Sequence, residues 1–185
     1  MMTINWKRLA EALEFYKARG FTEVAAEWHV PKAVHDITCG HDGRMFHLKD
    51  YGVLVGSAEQ SLIGMQLEGR LPPGRYVALT PCFRDEGAER DDLHRLHFMK
   101  VELYSTLPGD DFYGDTEELC RSAMAFMKTQ TAQPVSVDPT DEGVDLTING
   151  IEVGSYSCRS HGGITWTCGT GLAEPRFSMA CQRPR

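Results

Sequence analysis

Two apolar runs separated by a charged loop constrain this chain more than any other feature. Tyr76 to Phe83 and Leu96 to Tyr104 are rich in aromatic and aliphatic residues, and a polar stretch from Gly87 to His97 lies between them. Runs of that length and composition form strands, and the connection makes them neighbours. Strand alternation then decides which side chains share a face. Arg84, Glu86, Phe98 and Glu102 fall where alternation can point all four the same way. Such a face offers a cation for a phosphate, a carboxylate for an amine and an aromatic plane for a base. It outlines a nucleotide-activating site.

The rest of the chain reads as one domain, residues 1–185, of ordinary globular composition. Trp6 to Ala18 has apolar residues close to a 3.6 period and is expected to be a helix closed by Gly20. Phe21 to Trp28 reads as a strand running toward Pro31. Met45–Leu48 and Gly52–Val55 read as a hairpin pair. Ala58 to Glu68 reads as a helix, and Asp115-Thr116-Glu117-Glu118 opens another that runs to about Thr129. Val135–Val137, Val144–Ile148, Ile151–Ser157 and Ile164–Cys168 alternate as strands, and Leu172 to Ala180 reads as a final helix. Mostly antiparallel strands with helices beside them make an α+β domain. No stretch approaches the roughly 20 apolar residues of a membrane span, and the start lacks the basic-then-apolar order of a signal peptide. Six cysteines without CxxC spacing point to free thiols in a reducing cytoplasm. The net charge of −7, without a Lys/Arg cluster, argues against gripping a nucleic-acid backbone unaided.

Five short segments, in order, carry a resemblance. Phe83-Arg84-Asp85-Glu86, a loop, then Phe98-Met99-Lys100-Val101-Glu102 resembles motif 2 of the class II aminoacyl-tRNA synthetases in its seryl form. Ser57-Ala58-Glu59 sits where that family carries Thr-x-Glu. Gly169-Thr170-Gly171-Leu172-Ala173-Glu174-Pro175-Arg176 resembles motif 3, and Ile151-Glu152-Val153-Gly154-Ser155 resembles the Glu-Ile-x-Ser segment before it. Arg19-Gly20-Phe21 with Pro31 resembles motif 1. One such pattern recurs by chance, whereas five in order from about residue 6 to residue 181 are specific. The resemblance implies a six-stranded antiparallel sheet flanked by helices, with ATP and magnesium as cofactors. It also implies a homodimer built on the motif 1 segment, Trp6 to Pro31.

Carried over residue by residue, the resemblance assigns roles. Arg84 would hold the α-phosphate and the substrate carboxylate, where a planar fork suits the geometry. Arg176 would take the γ-phosphate, Phe98 would stack on adenine, and Glu86 would accept from its exocyclic amine. Glu152 and Ser155 would share magnesium, an ion that prefers oxygen ligands. Three residues apart, they lie on opposite faces of a regular strand unless a bulge at Gly154 intervenes. Glu59 and Glu102 would bind the ammonium or side chain, and Ser57 and Thr170 would add hydroxyls. Gly169 and Gly171 would keep the pocket floor open. For four of these residues a plain alternative stands: a surface ion pair for Arg84, a solvated charge for Arg176, a core aromatic for Phe98, an edge carboxylate for Glu152.

Several departures from the family pattern shape the expectation. His94 stands where a loop arginine is usual, with Arg95 one step closer to Phe98. Cys168 replaces a polar amide, and with Glu102 it could supply two ligands of a zinc variant. Tetrahedral zinc needs a third, for which only His97 or Cys158 is at hand. A buried, inert thiol is the plainer reading of Cys168. His29, His35, His41 and His47 recur at six-residue intervals and share no face. The chain begins at the catalytic core, with no counterpart of the seryl enzymes' helical hairpin. The expected activity is therefore adenylation of a small amino acid, serine first. Transfer would follow to a carrier protein, to a small molecule or to tRNA in trans. A minimal seryl-type tRNA ligase and a non-catalytic regulatory subunit are the alternatives.

Overall fold

A computed structural model describes residues 3–39, 45–85, 87, 91–107 and 112–183. Its centre is a seven-stranded sheet. Six of the strands are antiparallel: β5 (Arg75–Phe83), β6 (His97–Ser105), β10 (Ile164–Glu174), β9 (Ile151–His161), β8 (Gly143–Ile148) and β7 (Ser136–Thr140), in that spatial order. Beside β5 lies β1 (Thr22–Glu23), two residues long and parallel to it. The long strand expected from Phe21 to Trp28 is thus reduced to one short pairing. A separate three-stranded sheet joins β2 (His29–Val30), β4 (Gly52–Leu54) and β3 (His47–Leu48).

Each face of the large sheet is covered differently. On one face lie α1 (Trp6–Lys17) and α4 (Phe112–Gln130). The Asn5 side chain accepts from the Arg8 N–H at 3.0 Å, capping α1, and Leu9, Ala12 and Tyr16 form its buried stripe. That stripe meets Leu119, Ala123, Phe126 and Met127 of α4 over Val77, Leu103, Val153 and Tyr156 of the sheet. Each large side chain buried there contributes about 1.5–3 kcal/mol. On the other face α3 (Ala58–Leu67) lays Ala58, Leu62 and Ile63 against Tyr76, Ala78, Tyr104, Trp166 and Cys168. α3 covers only part of that face. Beyond its N-terminus the sheet is open, and the site lies there.

Two helices differ from expectation. The segment Leu172 to Ala180 is not one helix: β10 runs on to Glu174, and α5 (Arg176–Gln182) begins only after Pro175. The residue before a proline disfavours the helical region, which places the boundary there. α2 (Lys32–Cys39) was not foreseen: its apolar stripe is short, with Val34 and Ile37 half-buried against the α3 side of the core, and its one fully buried residue is His35. All six cysteines are free thiols. Among the described residues, no helix is long and apolar enough to cross a membrane.

Candidate active site

Register places the site residues. On β6, Phe98, Lys100 and Glu102 pair with Cys82, Thr80 and Ala78 of β5, and Glu102 and Lys100 pair on the other side with Thr170 and Ala173 of β10. Cross-strand partners share a face, so these residues form one surface. Arg84 continues the even-numbered series past the end of β5. Its guanidinium lies 5.2 Å from the Phe98 ring centroid, and its Nε donates to the Gly56 carbonyl at 3.2 Å. Glu86 lies outside the described residues.

Two β-bulges complete the surface. In β9 the register shifts against β8, with Thr147 opposite Glu152 and Leu146 opposite Gly154, so Val153 is the extra residue. Val153 and Gly154 are both buried, while Glu152 and Ser155 both turn to the site side. In β10 the shift falls between Thr170 and Leu172, with Gly171 the extra residue. Gly169 and Gly171 do not open the pocket floor. A Cβ on Gly169 would lie 2.1 Å from the Tyr156 ring, and one on Gly171 would lie 2.8 Å from the Tyr16 ring. The glycines make room on the core face for two tyrosines, which donate to the bulge: Tyr156 to the Thr170 carbonyl at 2.7 Å, Tyr16 to the Gly171 carbonyl at 2.8 Å.

Arg84, Phe98, Lys100, Glu152, Thr170 and Arg176 line one cleft open to solvent. Arg176 donates to the Leu93 carbonyl at 3.1 Å and sits 3.9 Å from Glu152. Arg95 also lines the cleft, whereas the His94 ring is tied to Asp91 at 2.9 Å. Ser155 shares the face but does not reach the cleft wall.

Below the cleft is a buried polar cluster. Ser57 caps α3, its hydroxyl accepting from the Glu59 N–H at 3.3 Å and donating to Glu102. Lys100 Nζ pairs with the same Glu102 oxygen at 2.8 Å and reaches Ser57 Oγ at 3.4 Å. Glu102 is 1% exposed. Burial raises its pKa, against the pull of Lys100. Burial also works against the Lys100 charge, but Glu102 outweighs it and holds the ammonium above its ordinary pKa. Glu59 Oε1 accepts from Trp166 Nε1 at 2.8 Å and Cys168 Sγ at 3.1 Å, and Arg159 Nη1 lies 3.8 Å away as an ion pair.

The donor set separates the two metal readings. Glu152, an oxygen donor in the cleft beside Arg176, with Ser155 on the same face, fits magnesium carried in by a polyphosphate, because that ion needs few protein ligands. Zinc does not fit. Cys168 spends its proton on Glu59, burial pushes its thiol well up, and Cys158 and His97 sit at odd register on the opposite face. Among the described residues no group of three His, Cys, Asp or Glu could hold a metal ion. Lys100, Trp166 and Arg159 escaped the sequence reading. Only Lys100 carried a signal, its even place between Phe98 and Glu102.

No family model matches the sequence. Over 84 residues it is 40% identical to the serine–tRNA ligase of Alkaliphilus oremlandii, a stretch covering 40% of this chain and 20% of that protein. The structure resembles the seryl-tRNA synthetase of Pyrococcus horikoshii complexed with ATP. That match has a TM-score of 0.77 and 22% identity, and covers 94% of this chain and 49% of the other. The chain has the fold of a class II synthetase catalytic core. The pyrrolysyl-tRNA synthetase of Desulfitobacterium hafniense shares it at a TM-score of 0.71 and 18% identity, covering 94% of this chain and 67% of that one.

Proposed function

We propose that this chain activates a small amino acid, serine first, by adenylation. The observation that carries the reading is one face holding a stacked Arg84–Phe98 pair, Arg176 and Glu152 around a single cleft, with buried carboxylates beside it. The substrate carboxylate oxygen attacks the α-phosphorus of ATP. A new O–P bond forms, the α–β bridging P–O bond breaks, and pyrophosphate leaves with that electron pair. No proton moves and no side chain acts as nucleophile. Arg84 orients the carboxylate and the α-phosphate, Arg176 and Arg95 receive the outer phosphates, and Phe98 carries the base, with Glu86 assigned to its amine. Magnesium, when bound by Glu152 and Ser155, supplies charge neutralisation between phosphates.

A small substrate suits the buried groups beside the cleft: Trp166 and Cys168 pack on Glu59, and Glu59, Glu102, Ser57 and Thr170 are assigned to an ammonium and a hydroxyl. The acceptor we favour is a carrier protein or small molecule, because a chain of net charge −7 attracts a nucleic-acid backbone poorly. The free thiols agree with a cytoplasmic setting.

Amino-acid-dependent exchange of labelled pyrophosphate into ATP, run over all twenty amino acids, tests the reading. Exchange should be fastest with serine, and a preference over alanine beyond about 1–3 kcal/mol would mark a hydroxyl-reading pocket. Arg84→Ala should lose about 3 kcal/mol of transition-state stabilisation, on the order of a hundredfold in rate. Its fold should survive, since among the described residues the Arg84 guanidinium is held by the Gly56 carbonyl and the Phe98 ring. No exchange with any amino acid, or an unaffected Arg84→Ala variant, would overturn the proposal.

A further inference from the structure

We propose that Lys100 is a third phosphate-binding cation with two stations: Glu102, where this structure holds it, and the phosphates in the cleft, to which a substrate ammonium displaces it. The proposal deepens the adenylation reading and rests on it.

Position is the first argument. On the site face of β6, Lys100 lies between Phe98 and Glu102, roughly 6.6 Å along the strand from each. If a base stacks at Phe98 and an ammonium is read at Glu102, the reacting carboxylate and α-phosphate meet over Lys100. Its side chain lines the same cleft as Arg84 and Arg176.

Occupancy is the second. The Glu102 oxygen that an ammonium would use already accepts from both Lys100 Nζ and the Ser57 hydroxyl. Glu59 offers no substitute on its Oε1, which is engaged by Trp166, Cys168 and Arg159. An ammonium that takes the hydrogen-bonded oxygen of Glu102 therefore enters by exchange with Lys100. The displaced Lys100 has a flexible four-carbon stem and needs a new anion, because an unpaired buried cation is strongly disfavoured. The phosphates in the cleft supply one. Amino acid alone would therefore strand Lys100, whereas amino acid with ATP would not, and each ligand should tighten the other by the same factor. A purely structural Lys100–Glu102 pair would leave whatever coupling Arg84 supplies unchanged when Lys100 is replaced.

Calorimetric titration with α,β-methylene-ATP, whose bridge resists cleavage, tests this when run alone and with saturating serine, alanine, glycine or threonine. On the wild type, at least one amino acid should tighten the analogue on the order of 5–150-fold. In Lys100→Met the factor should fall to about one, while the analogue still binds through Arg84 and Arg176. Lys100→Gln retains a donor for Glu102 and Ser57, and should lose the coupling equally if Lys100→Met folds poorly. A wild type that binds the analogue with no response to any of the four, or a variant that keeps the factor, overturns the Lys100 proposal and leaves adenylation standing. A wild type that binds no analogue overturns the adenylation reading, and this proposal with it.

Discussion

Tyr16→Phe separates one hydroxyl from everything else the ring does. Tyr16 is fully buried; its ring packs 5.7 Å from Phe21 and 5.8 Å from Phe126, and its hydroxyl donates to the Gly171 carbonyl at 2.8 Å. Burial raises the phenol's pKa, so it is a neutral donor at every working pH. Phenylalanine keeps the packing and leaves a carbonyl at the β10 bulge without its donor. The cost of such a loss is about 1.5 kcal/mol. For a chain of 185 residues that corresponds to a fall in Tm of roughly 3–6 °C. The same bulge positions Thr170 and leads into Arg176, so pyrophosphate exchange should fall in a variant that is still fully folded at the assay temperature. Tyr156→Phe removes the donor to the adjacent Thr170 carbonyl and should behave alike. Because the two donors act on consecutive carbonyls, the double variant should depart from additivity by about 0.5 kcal/mol or more. Thermal and urea denaturation of the three variants give all these values. An unchanged Tm in Tyr16→Phe would refute the claim that the tyrosines hold the bulge.

Two other outcomes follow from the same structure. His35 is buried, its Nδ1 lies 3.7 Å from Asp36 Oδ1, and burial lowers its pKa below the ordinary value of about 6.5, while Asp36 favours its charge and Lys32 and His47 oppose it. The unfolded chain then binds the extra proton, so this stabilisation is present above about pH 6.5 and is lost as pH falls toward the folded pKa; urea denaturation should show a decline that His35→Gln lacks, and parallel curves would contradict it. The segment from Trp6 to Pro31 exposes Trp6 at 60% and Trp28 at 59%, and we expect it to meet its copy in a two-fold dimer of twice the 20.7 kDa chain mass; a monomer in sedimentation equilibrium at micromolar concentration would dismiss that interface.

How far the sequence could be read depended on whether local pattern or tertiary context decided each element. β5 and β6 were legible because apolar runs of strand length flank a charged loop, and their alternation put Arg84, Phe98 and Glu102 on one face. The start of α1 was legible for a comparable reason, an apolar stripe at helical period behind a capping Asn5. Phe21 to Trp28 looked equally like a strand, but only Thr22 and Glu23 find a partner, along the edge of β5. Lys100 was visible inside the Phe98-to-Glu102 segment, yet the sequence reading gave it no role. Nothing local announces that Glu102 and Ser57 sit within 3.4 Å of its ammonium, because Ser57 comes from a helix 43 residues away. Trp166 and Arg159 belong to the site for the same non-local reason: both converge on Glu59 across the sheet.

The bulges explain why strict alternation fails where the chemistry is. A regular β10 would put Thr170 and Glu174 on one face and Ala173 on the other. With Gly171 taken out of the ladder, Thr170 and Ala173 share the site face instead, and Glu174 turns to the core. There it meets Arg8 of α1 at 2.5 Å, fully buried. The same logic in β9 brings Glu152 and Ser155 to one side by sinking Val153. Each bulge therefore does two things at once: it aims a polar group at the cleft and returns the following residues to the face that α1 and α4 cover. A substitution that restored regular pairing in either strand would rotate the far half of that strand by one face. That would exchange buried and exposed residues along it. The glycines at 169 and 171 guard against that rotation only together with Tyr156 and Tyr16, whose rings occupy the space a Cβ would need. Site and core are thus specified by the same residues, and the small-residue pattern Gly169-Thr170-Gly171 is as much a packing requirement as a functional one.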